Sequence, residues 1–342
     1  MLELNEQNAA EILHARGHLP STKDVRVREL SGGVSNAVFL VETPNDRFVV
    51  KQARGKLRVQ ADWQCSVERI WREVEVLEAT AGLLQDWKHA LASVPQLLWK
   101  DELLYSYAMT AAAANSRTWK EELMEGVDDD LLASAAGVLL GRIHSHSWHN
   151  AELASRFKDR TYFAQLRLEP YYLVAAQNYP SLANRLYDLV DQTWREQHAL
   201  VHGDFSPKNI LISAAGPMLI DFEVGHYGDP AFDIGFCLTH LVLKAIHFPQ
   251  REKQLLQMAD AFRLQAIAGH LGKIKSDEWS ALESRGIQHL AGCLVARVHG
   301  KSPVDYLTPP EQLRAVQLSE KLFGLGPAAS WDETYDLLQR EV

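Results

Sequence analysis

Short apolar runs separated by turn residues dominate the first part of the chain. The runs 25–30, 37–41 and 47–51 are rich in Val, Phe and Leu, and the segments between them, 31–36 and 43–46, contain Gly, Ser, Pro and Asn. β-branched and aromatic side chains favour strands, whereas Gly, Pro and Asn favour turns. The pattern therefore predicts an antiparallel meander of three short strands.

A helical repeat follows the meander. Within 60–84 the apolar residues recur at three- and four-residue spacing, as Ile70 and Val74 do, which is the spacing of one helix face. The runs 94–99 and 103–109 again predict strands. The N-terminal part is thus expected to hold five strands and one long helix.

The pattern changes after a short segment of small and polar residues, 110–116, which has the composition of a hinge. Beyond it the apolar residues follow helical periodicity almost throughout. The predicted helices cover 131–143, 234–247, 250–268, 278–298, 310–323 and 331–340, and one or two more are predicted over 171–194. Strands first and helices afterwards indicate an α+β protein, which we divide into an N-lobe, 1–110, and a helical C-lobe, 111–342.

One hairpin interrupts the helical part. The apolar triplets 210–212 and 218–220 flank a turn that contains Gly and Pro. Acidic and amide side chains stand at the outer ends of the two triplets: Asp204, Asn209, Asp221 and Glu223. Antiparallel pairing would bring these ends together, and such a cluster of oxygen ligands suits Mg²⁺ and a phosphate chain.

Composition excludes several classes of protein. The chain has 342 residues, 46% of them hydrophobic and 23% charged, and its net charge of −9 argues against nucleic acid or an anionic membrane as partner. Three widely spaced cysteines, Cys65, Cys237 and Cys293, form neither a metal motif nor a disulfide framework. The N-terminal residues lack the apolar core of a signal peptide, so we expect a cytoplasmic protein, monomeric or homodimeric.

The segment 202–209, His-Gly-Asp-Phe-Ser-Pro-Lys-Asn, resembles the catalytic loop of the aminoglycoside phosphotransferase and choline kinase family. In that loop a catalytic Asp stands five positions before a metal-binding Asn. The segment 221–223, Asp-Phe-Glu, resembles the metal-binding Asp-Phe-Gly, with Glu in place of Gly. The resemblance implies a two-lobed protein-kinase-like fold: a small N-lobe with an antiparallel sheet and one helix, and a larger, mostly helical C-lobe.

The resemblance also implies roles for the residues of the hairpin. Asp204 would accept the proton of a substrate hydroxyl and orient that hydroxyl for attack on the γ-phosphate of ATP. Asn209 and Asp221 would hold Mg²⁺. Glu223 is either a further ligand of the metal or a partner in a surface ion pair, and the residues alone leave both open.

The N-lobe would bind the nucleotide. Lys51, at a strand end, corresponds to the phosphate-binding Lys of the family, and Glu73 on the following helix is its expected partner, with Glu68 as the competing choice. The turn between the first two strands is either an ordinary hairpin turn or a loop whose backbone amides approach the phosphates. Its candidate residues are Ser31, Gly32, Gly33, Ser35 and Asn36.

The adenine site follows from the same resemblance. Met109 and Thr110 fall where the family has its hinge, and backbone groups of Thr110 and Ala112 would bind the adenine edge. Val49 and Ile220 would pack on the two faces of the ring.

Several further residues have competing interpretations. Asp233 matches an Asp that braces the catalytic loop, whereas Asp229 is expected to be a turn residue. The histidines at 144, 146 and 149 suggest a zinc site, but no neighbouring ligand completes it, and His144 is expected to pack beneath the catalytic loop. Two questions stay open: whether Trp119 and Trp148 border a substrate pocket, and whether Arg297 contacts substrate or braces the C-lobe.

The sequence therefore predicts an ATP-dependent kinase that phosphorylates a hydroxyl of a small polar metabolite. The candidate acceptors are an aminoglycoside or amino sugar, a choline-like alcohol and a methylthioribose-like sugar. The alternative is a nucleotide-binding regulator without turnover. A protein kinase is disfavoured, because Asp-Phe-Gly and Ala-Pro-Glu are absent and the stretch between Asp221 and Asp233 is too short for an activation loop.

Overall fold

A computed structural model describes residues 2–30, 36–54, 67–87, 92–270 and 273–342. The chain forms two compact units. Unit 1 contains Met1–Gly82 and Val94–Ala114, and unit 2 contains Leu83–Ser93 and Asn115–Val342. The predicted loop residues Ser31, Gly32, Gly33 and Ser35 lie outside the described residues, as does Cys65.

Unit 1 is built on one antiparallel sheet. Its strands are β1 (Arg26–Glu29), β2 (Asn36–Glu42), β3 (Arg47–Ala53), β4 (Leu97–Asp101) and β5 (Ser106–Thr110), and its helices are α1 (Ala9–Ala15) and α2 (Arg69–Leu84). The spatial order is β1-β2-β3-β5-β4, which confirms the predicted meander. The last strand begins at Ser106 rather than at 103, because a turn with Tyr105 at φ +46° precedes it.

The core of unit 1 lies where α1 packs on the sheet. Leu13 of α1 is buried with Phe39, Val41 and Val50 of the central strands. The alternation of these positions along β2 is the reason that one face of the strand reaches the core.

Unit 2 is mostly helical. Its helices are α3 (Trp119–Glu125), α4 (Asp130–Ser147), α5 (Ala151–Arg156), α6 (Thr161–Phe163), a π-helix (Ala164–Leu173), α7 (Val174–Asn178), α8 (Ala183–Arg195), α9 (Ala231–His247), α10 (Glu252–Ala268), α11 (Ser276–His299), α12 (Pro309–Gly324) and α13 (Trp331–Glu341), with short 3₁₀ turns at Pro180–Leu182, Pro207–Asn209 and Pro249–Arg251. The long helices agree closely with their predicted ranges. The range 171–194, for which one or two helices are predicted, contains the two helices α7 and α8, and Pro180 stands between them.

Short strands position the candidate catalytic residues. They are β6 (Arg117–Thr118), β7 (Ala199–Val201), β8 (Ile210–Ser213), β9 (Gly216–Leu219) and β10 (His226–Gly228). β8 and β9 form the predicted hairpin, with Ile210 opposite Leu219 and Ser213 opposite Gly216. Because these end pairs are in register, the residues just outside the hairpin, Asn209 and Ile220, are also brought together.

Helix α9 is the centre of unit 2. Nearly every residue of α9 is buried, and α10, α11 and α12 pack around it. The contact between α4 and α10 is also close, since a Cβ at Gly141 would lie 2.5 Å from the carbonyl oxygen of Ala266. The other helices of unit 2 therefore surround the apolar helix α9. A polar side chain buried on α9 costs free energy unless it has a partner.

No single helix of the described residues is long and apolar enough to cross a membrane. α9 and the following stretch Pro249–Ala268 reach that length and composition only together, and they meet at an angle of 114°.

Candidate active site

The loop between β7 and β8 places Asp204 in the interior of unit 2, where the residue is 2% exposed. Its Oδ2 atom contacts three nitrogen atoms: Nδ2 of Asn209 at 2.8 Å, Nη2 of Arg167 at 2.7 Å and Nζ of Lys208 at 2.9 Å. The other oxygen, Oδ1, is buried and accepts no hydrogen bond from the described residues. One oxygen of the Asp204 carboxylate is thus held in place, and the other is able to accept a hydrogen bond.

Arg167 was not predicted from the sequence. It projects from the π-helix Ala164–Leu173, is 8% exposed and donates from Nε to the carbonyl of Gly203 at 2.8 Å. π-helical turns are rare and often occur at functional sites. The only signal in the sequence is Pro170, which disturbs the helix three residues later. Arg167 therefore fixes both the backbone and the carboxylate of the catalytic loop.

The neighbouring cations keep the carboxyl group of Asp204 ionised. Burial raises the pKa of this carboxyl group, but the guanidinium of Arg167 and the ammonium of Lys208 outweigh burial and bring the pKa below its ordinary value. Lys208 is half exposed, so solvent screens part of its effect. Asp204 is therefore ionised at neutral pH, and it is a weaker base than a free Asp.

Asp233, at the start of α9, braces the loop from below. Its carboxylate accepts hydrogen bonds from the backbone N–H of His202 at 2.7 Å and of Gly203 at 2.8 Å, and it contacts Nε2 of His144 at 3.1 Å. Gly203 adopts φ +77°, and a Cβ there would lie 3.0 Å from Val224. The expected brace is present, and the loop can take its shape only with glycine at 203.

His202 connects the catalytic loop to the segment after β9. Its Nδ1 accepts from the backbone N–H of Asp204 at 3.1 Å, and its Nε2 lies 3.2 Å from the carbonyl of Ile220. Burial lowers the pKa of His202. A neutral ring, with its proton on Nε2, fits both contacts.

The candidate cation ligands follow the hairpin geometry. The N–H of Ile220 donates to the carbonyl of Asn209 at 2.9 Å, so Asp221 follows directly beside Asn209. Asp221 has φ +72°, a left-handed conformation that is uncommon for a non-glycine residue. Burial acts to lower the pKa of Arg167, but Asp204 raises it above its ordinary value, and Glu223 and Asp221 add smaller electrostatic effects in the same direction. Both carboxylates thus belong to the surroundings of Asp204.

The chemistry of this donor set fits a hard divalent cation. The amide nitrogen of Asn209 donates to Asp204, which leaves the amide oxygen as a ligand beside the carboxylates of Asp221 and Glu223. In the described part of the chain, no three His, Cys, Asp or Glu side chains converge to hold a metal. A cation here would therefore use an amide and two carboxylates, which is typical of Mg²⁺ sites that are completed by phosphates.

In unit 1 a buried ion pair joins β3 to α2. The ammonium of Lys51 contacts the carboxylate of Glu73, and the two residues are 5% and 0% exposed. Asn36, at the start of β2, donates to Glu73 at 3.3 Å and accepts from Arg69 at 3.4 Å. Glu73 thus pairs with Lys51, and the competing choice Glu68 hydrogen-bonds Tyr105.

The predicted hinge lies at the end of β5. Met109 is buried, the N–H of Thr110 donates to the carbonyl of Gln96 at 2.9 Å, and the carbonyl of Ala112 accepts from Arg47. Two of the backbone groups that could meet an adenine edge, the N–H of Thr110 and the carbonyl of Ala112, are thus already engaged. Val49 in unit 1 is buried, and Ile220 in unit 2 is partly buried.

The structure shows the surroundings of Asp229, Trp119 and Trp148. Asp229 is more than a turn residue, because it is buried and forms a two-pronged ion pair with Arg285 of α11 at 2.8 and 3.1 Å. Trp119 is completely buried in the core, and Trp148 stacks on His198 at 5.0 Å.

The three clustered histidines point to different partners. His144 contacts Asp233, whereas Nε2 of His149 lies 3.1 Å from Nδ1 of His198. Arg297 of α11 contacts the hydroxyl groups of Tyr171 at 3.2 Å and Ser302 at 3.0 Å.

Comparison with known proteins places this geometry in a family. Residues 26–272 match the model of the phosphotransferase enzyme family. A methylthioribose kinase of Escherichia coli O45:K1 (strain S88 / ExPEC) is 27% identical over 277 residues, which is 71% of this chain and 63% of that protein. The chain thus spans less than two thirds of the length of this relative.

Two solved structures have a similar fold. Choline kinase from Cryptosporidium parvum Iowa II has a TM-score of 0.59 at 12% identity, with 94% of this chain and 98% of that chain covered. An amicoumacin kinase in complex with AMP-PNP and Ca²⁺ has a TM-score of 0.52 at 14% identity, with 93% and 94% covered. Both neighbours confirm the predicted kinase-like fold, and the match to the family model over most of the chain shows that it belongs to the phosphotransferase enzyme family.

Proposed function

We propose that this protein is a kinase that transfers the γ-phosphate of ATP to a hydroxyl group of a small polar molecule. The observation that carries the proposal is the buried Asp204 carboxylate, held at Oδ2 by Arg167, Lys208 and Asn209 and unpartnered at Oδ1 among the described residues. An oriented carboxylate of this kind accepts the proton of an attacking hydroxyl and aligns that hydroxyl.

The pKa of Asp204 lies below its ordinary value, which indicates how this carboxylate would act on an attacking hydroxyl. Phosphoryl transfer passes through a loose transition state, in which the nucleophile needs alignment more than early deprotonation. In the proposed step the hydroxyl oxygen forms a bond to the γ-phosphorus, the bond from that phosphorus to the bridging oxygen of ADP breaks, and the hydroxyl proton passes to Oδ1. A weak base is sufficient, because the proton leaves as the new P–O bond forms.

The other side chains would bind the nucleotide. Lys51, held by Glu73, supplies a fixed positive charge for the phosphates, and a Lys oriented by a Glu has this role in kinases. Asn209, Asp221 and Glu223 would hold Mg²⁺, which supplies charge neutralisation for the phosphate chain when bound. AMP-PNP and Ca²⁺ in the amicoumacin kinase neighbour support a nucleotide and a divalent cation as partners.

The relatives give one indication of the acceptor. Of the predicted candidates, which are an aminoglycoside or amino sugar, a choline-like alcohol and a methylthioribose-like sugar, the sugar agrees with the name of the matched relative. The identity to that relative is 27% and covers 63% of its length. We therefore propose only a class of acceptor, a sugar-like compound with a hydroxyl group, and a substrate screen would identify the compound.

Release of ADP from Mg-ATP tests the proposal. Purified protein is screened against pooled sugars, sugar acids, amino alcohols and aminoglycosides, with Asp204→Asn beside the wild type. Removing a positioned acid–base group lowers kcat by roughly 10²- to 10⁴-fold, whereas Asp188→Asn, an exposed carboxylate on α8, is expected to leave it unchanged.

The outcomes separate the alternatives. Acceptor-dependent ADP release that is lost in Asp204→Asn supports the kinase. Nucleotide binding without acceptor-dependent release would favour the nucleotide-binding regulator, and transfer to a protein acceptor would overturn the small-molecule assignment.

A further inference from the structure

Helix α9 contains a buried cation without a carboxylate partner. Lys244 is 1% exposed, and its ammonium donates only to the carbonyl of His240, one turn earlier, at 3.2 Å among the described residues. The ammonium also lies 5.6 Å from the ring centre of Tyr306. An ammonium group removed from water without an anion is costly, so its presence in an otherwise apolar helix calls for a function.

The charges around Lys244 are positive. Burial lowers the pKa of Lys244 to about 7, and the charges of Lys120 and Arg297 act in the same direction. Burial likewise lowers the pKa of His240 well below its usual value, and Arg297, Lys244, Lys208 and Lys120 add to the effect. Cations on α3, α11 and the loop before β8 thus act electrostatically on α9, at Lys244 or at His240.

Two carboxylates, Asp305 and Glu311, act electrostatically on Tyr306. Both raise the pKa of its hydroxyl group, although burial is the main cause. Asp305 is exposed, and Glu311 already pairs with His247 at 3.2 Å. Neither carboxylate forms an ion pair with Lys244 in the described part of the structure.

Two further donor groups lack a hydrogen-bond acceptor among the described residues. The hydroxyl of Tyr306 and Nε of Arg297 are both buried and make no hydrogen bond with the described residues. Buried donors normally have partners. An ammonium, a hydroxyl and a guanidinium N–H from three separate elements are the groups that bind an anionic oxygen group.

This cluster shares its neighbours with the catalytic carboxylate. The ring of Tyr171 lies 5.7 Å from the guanidinium carbon of Arg297 and 5.9 Å from that of Arg167. Arg167 in turn contacts Asp204 at 2.7 Å. One aromatic ring therefore separates the cationic cluster from the arginine that holds Asp204.

We propose that Lys244, Tyr306 and Arg297 form a binding site for an anionic group of the acceptor, so that the acceptor carries a carboxylate or a phosphate besides the hydroxyl to be phosphorylated. This inference rests on the proposed kinase function, and it narrows the substrate class. It argues against choline-like alcohols and aminoglycosides, because their cationic groups would be placed beside the ammonium of Lys244 and the guanidinium of Arg297.

Matched pairs of acceptors test the inference. Each pair contains an acidic and a neutral compound with the same hydroxyl groups: gluconate and glucose, glycerate and glycerol, and glycerol phosphate and glycerol. The wild type is expected to show a KM at least about tenfold lower for the acidic member, since a charge-assisted hydrogen bond contributes that much or more. The carboxylate and phosphate pairs distinguish the two anionic groups.

Variants identify the residues responsible. Lys244→Met and Tyr306→Phe should raise the KM of the acidic member and leave kcat and the KM of the neutral member unchanged. Lys253→Met, which removes an exposed charge from α10, is the matched control. A preference for neutral or cationic acceptors, or an acidic-member KM that Lys244→Met does not change, would overturn the inference.

A binding measurement keeps this test independent of turnover. Inorganic phosphate and acetate are expected to raise the Tm of the wild type, of Asp204→Asn and of Lys253→Met, but not that of Lys244→Met. If the Tm shifts follow this pattern while no acceptor is phosphorylated, the kinase proposal fails and the anion site stands. Equal shifts in Lys244→Met and the wild type would show that the site is wrong.

Discussion

At the scale of single residues, buried charges carry the chemistry inferred here. Lys51 is paired with Glu73, and Asp204 is paired with Arg167. Each pair offsets much of the cost of burial. Lys244 has no such partner in the described structure, which is why it stands out as a ligand-binding group.

A double-mutant cycle tests the unit 1 ion pair. Glu73→Gln removes the Glu73 carboxylate from the ammonium of Lys51, so the free energy of unfolding should fall by about 3 kcal/mol, as for other broken buried pairs. Lys51→Met/Glu73→Gln removes both charges and should recover most of that loss. Activity should not return, and kcat/KM for ATP should stay at least about 100-fold below the wild type, because the phosphate-binding charge is gone.

The cycle separates binding from stability. Denaturant unfolding and steady-state kinetics are measured on the same four proteins. If the double variant recovers activity together with stability, Lys51 has a structural role only.

At the scale of elements, the catalytic loop is held by backbone geometry as much as by side chains. Asp233 binds two consecutive N–H groups, Gly203 occupies the left-handed region, and the β8–β9 hairpin brings Asn209 beside Asp221. The loop is therefore a rigid turn between strands, a suitable base for a positioned carboxylate.

Gly203→Ala should disturb this turn. An added Cβ would meet Val224 at 3.0 Å and would adopt an unfavourable φ of +77°, which costs about 1–2 kcal/mol from the backbone alone. We expect kcat to fall more than the KM for ATP rises, because Lys51, which is proposed to bind the phosphates directly, lies in unit 1.

The control for this substitution is Gly82→Ala in α2, where nothing lies within 4 Å of the added Cβ. It should raise stability by about 0.5–1 kcal/mol through its helix propensity. Full activity in Gly203→Ala would contradict the account of the loop.

At the scale of the whole molecule, Lys244 links stability to pH. Its pKa is about 7 in the folded protein and near 10.5 in the unfolded chain. The unfolded state therefore binds more protons between these values, and the free energy of unfolding rises with pH across this window by up to about 1.4 kcal/mol per unit. Below pH 7 lysine is charged in both states, and the full cost of burying the charge remains.

Lys244→Met isolates this effect. The variant should be more stable than the wild type at pH 6, and the difference should shrink as the pH rises to 9, as measured by denaturant unfolding. Burial keeps the neighbours Cys237 and His240 neutral in this range, by raising the pKa of the first and lowering that of the second. A stability difference that does not change with pH would contradict the assignment.

The sequence was sufficient for the features that depend on local pattern. Period-two and helical repeats predicted the meander and the long helices, because each repeat reports which face of an element is buried. Shorter elements were missed: α5 has six residues and β7 has three, too few to show a period. The π-helix was missed as well, because its proline disrupts the expected pattern.

The residues of the candidate site were predictable only where they stand in a recognisable local pattern. Asp204, Asn209 and Asp221 stand at characteristic spacings along the chain, and their family resemblance is confirmed by the family match. Lys244 could have been noticed as the lone lysine in the apolar run 231–246. Arg167 had no comparable signal, since one arginine in an amphipathic segment is usually solvated.

The sequence by itself thus determined the hairpin with its polar ends, the order of strands and helices, and the family. These features follow from neighbours in the chain, whose periodicity and spacing the sequence displays directly. Only the tertiary structure decided that Arg167 holds Asp204, that Glu73 pairs with Lys51, and that the ammonium of Lys244 lies 5.6 Å from the ring centre of Tyr306. Those contacts join segments far apart in sequence, and burial there sets the charge state and the energy of each group.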